Sequence, residues 1–280
     1  MKTCLVLEGG ALRGIYTAGV LDELIKTDIK IDAIIGVSMG SLMAINYISN
    51  QPGRGLRYNK KYCKQKNYIS FTSFLKTGNI ANKEFCYYEI PNELDPFDFD
   101  TFDHSKTKLY CTVTNVETGK PEYIEITNSK EQTEILRAGS SMPGVSKIVE
   151  VEGKKYLDGG IGDSIPVHKA IEMGFDRIIV VQTRPKGYQK NEKKKSFSFL
   201  YKKYPEFQRT LEERNKNYNQ TLKDISLLES NKKIFVIQPS KKIPIKRIEH
   251  NPYMIQDQYD LGREDFKQLE SSLREYLKRK

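Results

Sequence analysis

A three-layer α/β/α fold around a mainly parallel sheet is the class that this sequence predicts, and three observations predict it. Apolar runs of strand length, Cys4-Leu5-Val6-Leu7, Asp32-Ala33-Ile34-Ile35-Gly36 and residues 175–183, lack the polar alternation of half-exposed strands, as expected of strands buried on both faces. The first two run directly into glycine-containing turns and then into segments with helical apolar spacing, the βα rhythm of such folds. The 280 residues suit one large domain, or one domain with an appendage, and are ample for a buried core.

After the first strand comes Glu8-Gly9-Gly10-Ala11-Leu12-Arg13-Gly14, and then a helix with Val20, Leu21, Leu24 and Ile25 on one side. Small residues between strand and helix expose backbone N–H groups in a concave nest that suits an anion. The loop lacks the Gly-Lys-Ser/Thr ending of a phosphate-binding P-loop, and Ala11 spoils a dinucleotide fingerprint. An oxyanion hole built from Gly9, Gly10 and Ala11 is the better fit, with Arg13 adding a fixed positive charge. The plainer alternative is a helix-start loop whose glycines only permit close packing.

The second strand ends in Gly36-Val37-Ser38-Met39-Gly40. A sharp strand-to-helix turn crowds the backbone, so glycines on both sides let the Ser38 hydroxyl stand clear at the sheet's edge as a nucleophile elbow. Residues 41–49 supply an apolar helix whose N-terminal amides point back at the serine. Such a pentapeptide also arises by chance as an ordinary small-residue turn.

Residues 51–106 are rich in aromatics, among them Tyr58, Tyr62, Tyr68, Phe71, Phe85 and Tyr87, but weak in regular pattern. An insertion after the nucleophile helix is a natural lid or acyl-chain cleft, and packing of a few short helices against the sheet is the equal alternative. Residues 108–116 and 122–126 read as a strand pair bridged by Glu117-Thr118-Gly119-Lys120. Lys155-Tyr156-Leu157-Asp158-Gly159-Gly160 then ends a short strand in an aspartate and two glycines, which alone is turn chemistry. Its surroundings belong to the same scaffold: Ser164-Ile165-Pro166-Val167 has a serine cap and a proline placed to start a helix before the 175–183 strand. Further on, 205–228 reads as a long helix, 234–237 as a last strand and 259–277 as a closing helix, with no internal repeat.

Together these segments resemble the patatin-like phospholipase family, most closely its bacterial members. The resemblance is carried by Gly9-Gly10-Ala11-Leu12-Arg13-Gly14, by the 36–40 elbow and by Asp158-Gly159-Gly160, in the family's order. Arg137-Ala138-Gly139-Ser140-Ser141-Met142-Pro143-Gly144 is similar to the small-residue helix and proline stretch before the family's aspartate. It covers residues 1–185 as a catalytic core with a lid-like insertion at 51–106, leaving 186–280 as a basic extension expected to pack on the same domain. The resemblance implies a patatin-like fold and a serine lipid acyl hydrolase acting on phospholipids or related lipids. It implies a Ser-Asp dyad, with Ser38 as nucleophile and Asp158 as base, and neither metal nor organic cofactor. The family's loop usually has a third glycine where this chain has Ala11; if that position needs positive φ, alanine costs about 1 kcal/mol and can shift an oxyanion donor, and if it does not, the change is silent.

A triad is the first rival reading. The chain has three histidines, His104, His168 and His250, and an ordinary α/β-hydrolase places its histidine after the acid, which leaves His250 as the candidate. A membrane-associated binding protein with a weakened site is the rival from another class. A carboxylate with an ordinary pKa near 4 is a poor base for a serine hydroxyl. A working dyad therefore requires direct contact, partial desolvation and waiting amides.

The net charge of +10 sits in one part of the chain. Residues 1–185 carry 23 Lys plus Arg against 23 Asp plus Glu, whereas 186–280 carry 23 against 13. Within the basic part, Lys193-Lys194-Lys195, Phe197, Phe199, Leu200, Tyr201 and Lys202-Lys203 mix cations and aromatics, which suits an anionic lipid surface or a solvated linker. No nucleic-acid-binding motif accompanies the charge. The early apolar run at 5–7 is far too short for a signal peptide, and no stretch approaches a membrane span. The expected location is therefore the cytoplasm, with peripheral contact at the inner membrane face. Cys4, Cys63, Cys86 and Cys111 lack metal-type spacing and read as reduced packing thiols.

Overall fold

The computed structural model describes residues 1–192 and 198–279. Its strands are β1 (Thr3–Leu7), β2 (Ala33–Val37), β3 (Lys108–Asn115), β4 (Pro121–Ile126), β5 (Val149–Val151), β6 (Lys154–Asp158), β7 (Arg177–Val181) and β8 (Phe235–Ile237). They form one mixed sheet in the order β5-β6-β3-β2-β1-β7-β8, with β4 paired to β3. The run from β3 to β8 is parallel, while β4 and β6 lie antiparallel to β3. The helices are α1 (Ile15–Leu24), α2 (Met39–Ile48), α3 (Arg54–Tyr62), α4 (Phe71–Thr77), α5 (Phe99–Asp103), α6 (Thr133–Gly139), α7 (Val167–Glu172), α8 (Pro205–Ser230) and α9 (Pro252–Lys278), with a π-helical segment at Phe85–Leu94.

The apolar strand runs are continuous because both sheet faces are covered. Leu5, Leu7, Ile34, Ile179 and Val181 join the core beneath α1, α2 and α9, whereas Cys4, Val6, Ile35, Ile178 and Val180 join the core beneath α7 and α8. Successive residues thus enter opposite layers, and no position is left for a polar side chain. Burial pushes the thiols of Cys4 and Cys111 up to about 12, so both are packing groups.

The 51–106 segment folds as α3, α4, the π-helical segment and α5. Its weak periodicity has a physical cause: a π-helical stretch containing Pro91 departs from the 3.6-residue repeat, and proline lacks the N–H that a regular helix needs. The segment is tied to the helix that follows Ser38 by a buried arginine. Arg54 donates through Nε and Nη2 to the Asp95 carbonyl at 3.1 and 2.6 Å, and through Nη1 to Asn46 Oδ1 of α2 at 2.8 Å. A buried guanidinium is tolerated because its donors are used.

The closing helix begins earlier than its apolar spacing suggests, at Pro252, where Asn251 accepts a capping bond from the Tyr253 amide at 3.0 Å and the proline starts the first turn. It packs against α1 backbone to backbone. A Cβ at Gly19 would fall 2.0 Å from the Tyr259 carbonyl oxygen, and one at Gly262 would fall 2.1 Å from that of Tyr16. No helix among the described residues is long and apolar enough to cross a membrane.

Candidate active site

The register of β3 brings two chain ends together. Thr112 pairs with Val37 of β2 and Val113 with Asp158 of β6, and each of these two residues also pairs with β4 on its other side. β2 and β6 therefore share one edge of β3, one running parallel to it and one antiparallel, so their C-terminal ends face each other. Ser38 is the residue after Val37 and Asp158 is the last of β6. Their side chains meet: Ser38 Oγ donates to Asp158 Oδ2 at 2.7 Å, with both residues buried.

The glycines around them make this approach fit. Ser38 has φ 53° and ψ −124°, a conformation that an L-residue holds only when its surroundings impose it. A Cβ at Gly36 would lie 2.7 Å from Ser41 Cα, one at Gly40 2.7 Å from the Leu7 carbonyl oxygen, and one at Gly159 2.1 Å from that of Thr112. Gly160 donates its amide to Asp158 Oδ1 at 2.8 Å, so both carboxylate oxygens are engaged. Burial raises the Asp158 carboxyl above the usual carboxylate range, opposed by the Ser38 bond, Arg214, the Gly160 amide and Arg247.

The loop after β1 lies against the elbow, where a Cβ at Gly9 would be 3.1 Å from Ser38 Cβ. Among the described residues, the amides of Gly9, Gly10 and Ala11 make no hydrogen bond. Ala11 has φ 50°, the left-handed conformation that favours glycine. The loop is held from the C-terminal side: Leu12 donates its amide to the Arg247 carbonyl at 3.3 Å, and Gln258 Nε2 donates to the Arg13 carbonyl at 3.2 Å. Burial, with repulsion from Arg184 and Arg247, lowers the Arg13 guanidinium to about 10.

A family model for patatin-like phospholipases matches residues 5–171. The chain belongs to this family. A second model, for a domain of unknown function, matches 204–278. An uncharacterized Escherichia coli protein, YjjU, is 32% identical over 190 residues, which are 66% of this chain and 52% of that protein. Lysophospholipases nte1 of Aspergillus oryzae and NTE1 of Scheffersomyces stipitis are 28% and 27% identical over 66% and 63% of this chain, and over only 12% and 11% of their own lengths. The chain thus spans about half of the bacterial relative and about a tenth of the fungal ones. VipD from Legionella pneumophila aligns with 97% of this chain and 67% of its own at a TM-score of 0.47 and 11% identity.

Two cavities open at Ser38 of this patatin-like site. One, about 340 Å³, is largely apolar and lined by Met39, Leu42, Ile69, Ile80, Pro143 and Val145 among others. It shares Met39, Leu42, Ile69, Ala81 and Tyr87 with a second apolar cavity of about 90 Å³ lined largely by the 51–106 segment. The other cavity is polar and includes Glu8, Arg13, Asp158, Arg184, Arg214 and Arg247. Arg184, Lys190, Arg214 and Arg247 escape a sequence reading, which counts them only as part of the basic C-terminal third. The nearest signal for Arg214 is its position within a strongly apolar-spaced helix. The histidines are engaged elsewhere: His250 Nδ1 is 2.5 Å from the Cys63 carbonyl oxygen, His168 Nε2 is 3.0 Å from Asp224 Oδ2, and His104 Nδ1 is 2.9 Å from the Asp100 carbonyl oxygen.

Proposed function

We propose that this chain is a serine lipid acyl hydrolase that cleaves carboxylic esters through a Ser38-Asp158 dyad and an acyl-enzyme intermediate. The observation that carries this reading is the 2.7 Å bond from Ser38 Oγ to a buried carboxylate, with no imidazole between them. Ser38 attacks the acyl carbonyl as its proton passes to Asp158; the amides of 9–11 receive the oxyanion, and the nearby Arg13 charge adds to its stabilisation. The leaving alcohol takes the proton from Asp158, and water deprotonated by the same carboxylate then releases the fatty acid. Burial of Asp158 supports this role, since it makes the carboxylate a stronger base than a solvated one.

The apolar cavity that opens from Ser38, and the second one that shares its lining, support an acyl chain as the group transferred, and the names of the fungal relatives support a lysophospholipid or phospholipid as its carrier. Residues 1–185 would do the chemistry while 186–280 completes the same unit. Exposed Phe199, Leu200, Lys202 and Lys203 support peripheral contact with an anionic membrane. The companion residues Lys193, Lys194, Lys195 and Phe197 lie outside the described residues.

A serine-directed fluorophosphonate should label Ser38 in the wild type and not in Ser38→Ala. Ser38→Ala and Asp158→Asn should each lower p-nitrophenyl butyrate hydrolysis by at least about 10³-fold without unfolding the chain, because nucleophile and base act as one unit. His250→Ala should stay within a few-fold of wild type. An inactive His250→Ala beside an active Asp158→Asn would refute the dyad.

A further inference from the structure

The polar cavity beside Ser38 holds more basic groups than the hydrolytic chemistry uses, which draws on Arg13 alone. Arg13, Arg184, Lys190, Arg214 and Arg247 line it, with Glu8 and Asp158 as its carboxylates. Both carboxylates are already engaged. Glu8 Oε1 accepts from Tyr218 Oη at 2.7 Å and Oε2 accepts from the Thr183 amide at 2.6 Å and from Thr183 Oγ1 at 3.1 Å, while Asp158 holds Ser38 and the Gly160 amide.

The five basic groups have no such partners. Among the described residues none of them forms an ion pair with a carboxylate. Arg214 uses Nε on the Gly160 carbonyl at 2.6 Å, Arg184 lies over the Tyr188 ring, and the Lys190 ammonium sits 3.4 Å from the Tyr218 ring centroid. Arg13 Nε is buried without an acceptor. Gathering basic groups in a poorly solvated cavity is costly, and the cost is visible at Lys190, which burial and repulsion from Arg214, Arg247 and Arg13, offset in part by Glu8, lower to about 6, so that it rests mostly uncharged at neutral pH until an anion favours its proton. An anion bound among these groups would reverse that penalty, and guanidinium forks match phosphate oxygens in geometry.

We propose that this cavity is a headgroup subsite that takes the phosphate of the acyl ester substrate, so that the protein prefers glycerolipids with an exposed anionic phosphate over zwitterionic or neutral ones. The inference rests on the reading that Ser38 hydrolyses lipid esters, and it sharpens the substrate class. The arrangement suits it: Ser38, Arg214 and Arg247 line both cavities, so the acyl chain can run from Ser38 along the apolar lining of one while the phosphate, carried on the alcohol that departs, meets the two arginines from the other. A choline group would bring a further cation beside four arginines. Two of the five, Arg214 of α8 and Arg247 of the segment before α9, belong to the 204–278 stretch that matches a domain of unknown function. That stretch thereby acquires a task, the completion of the substrate site.

The test separates binding from chemistry. The 280-residue chain carrying Ser38→Ala is titrated calorimetrically with 1-oleoylglycerol 3-phosphate and with 1-oleoylglycerol, both as monomers. The phosphate lipid is expected to bind at least tenfold more tightly, and adding Arg247→Gln with Lys190→Met should shrink the preference below threefold. Equal affinity for the two lipids in the Ser38→Ala parent overturns the proposal without reference to any further variant. In the wild type, kcat/KM for the phosphate monoester should exceed that for the choline ester by tenfold or more; a ratio of one or less also overturns it. Inorganic phosphate and glycerol 3-phosphate serve as competitors of p-nitrophenyl butyrate hydrolysis. Strong inhibition by these ions without discrimination among the lipids assigns the cavity to free phosphate and overturns the headgroup reading. A wild type inert towards every ester, with the tenfold binding preference intact, would sink the hydrolase reading and uphold the subsite.

Discussion

Ala11 is an L-residue held at φ 50° in a loop that lines the same cavity as Ser38, and two bonds to the C-terminal part, Leu12 to Arg247 and Gln258 to Arg13, keep the loop there. The left-handed conformation costs alanine about 1–2 kcal/mol, while glycine costs about 0.4–1 kcal/mol through the unfolded chain. Ala11→Gly should therefore stabilise the fold by no more than about 1.6 kcal/mol and leave kcat within about threefold, because the tethers already hold the loop. Chemical denaturation and steady-state kinetics check both; a tenfold rise in kcat would mean that alanine displaces a donor. Asp158 gives a prediction with a sign. Its folded pKa lies above the ordinary carboxylate value, chiefly through burial. Stability from such a group is fully present below the unfolded pKa, near 3.9, and is lost as pH rises through the folded value. Asp158→Asn should thus melt higher than wild type at neutral pH, with the difference fading towards pH 4, and the wild-type rate should rise with pH through that raised pKa. A variant that melts lower than wild type at pH 7 would contradict this account. Ser38 and Asp158 were legible in the sequence because each is bound to a glycine-flanked turn at a strand end. The four basic residues Arg184, Lys190, Arg214 and Arg247 were not, since nothing local distinguishes a basic residue that turns into a cavity from one that turns into solvent.

At the scale of elements, the sheet is where sequence and structure agree most and where register goes unseen. Unbroken apolar runs announced β1, β2 and β7, and the turn 117–120 announced the β3–β4 pair. That β6 lies antiparallel on the same edge of β3 as β2 depends on the pairing of Val113 with Asp158, which no periodicity encodes. The 51–106 segment was legible only as an aromatic insertion, because its π-helical stretch and Pro91 erase the helical repeat. Its position over the apolar cavities yields an expectation. Ala81 pairs with Ile69 by an isolated bridge and lines both cavities. Ala81→Phe should fill space along the wall that the two cavities share and lower kcat/KM for a sixteen-carbon ester by roughly tenfold relative to a four-carbon one, a loss equal to about 1.4 kcal/mol. Esters of graded chain length measure it, and a loss uniform across chain lengths would point to damaged packing, which overfilling of a core also produces.

For the whole molecule, the question is whether 204–278 is a detachable appendage or part of one folding unit, and the α1–α9 contact argues for the second. Gly19 and Gly262 let the two helices touch through their backbones, with each missing Cβ replaced by the other helix's carbonyl. The same face carries Tyr259 Oη to Asp22 Oδ2 at 2.6 Å and Tyr16 Oη to Asp265 Oδ2 at 3.0 Å, buried bonds that lose their partners if the helices part. Gly262→Ala must push α9 outward against a backbone oxygen that cannot yield, at a cost of about 1–3 kcal/mol. For a chain of this size each kcal/mol lowers the melting temperature by about 2–4 °C. The damage should reach the site before the fold fails, since α9 supplies Gln258 to the Arg13 carbonyl and the preceding segment holds Leu12. Gly262→Ala is therefore expected to melt several degrees lower and to lose ester hydrolysis and phosphonate labelling of Ser38 at temperatures where its circular dichroism is still native. A fragment ending at residue 203 lacks α8, β8 and α9, leaves α1 and one face of the sheet uncovered, and should not fold cooperatively. If that fragment folded and kept a phosphonate-reactive Ser38, the C-terminal stretch would be an accessory, and the cations it brings to the substrate cavity would have no claim to be part of the site.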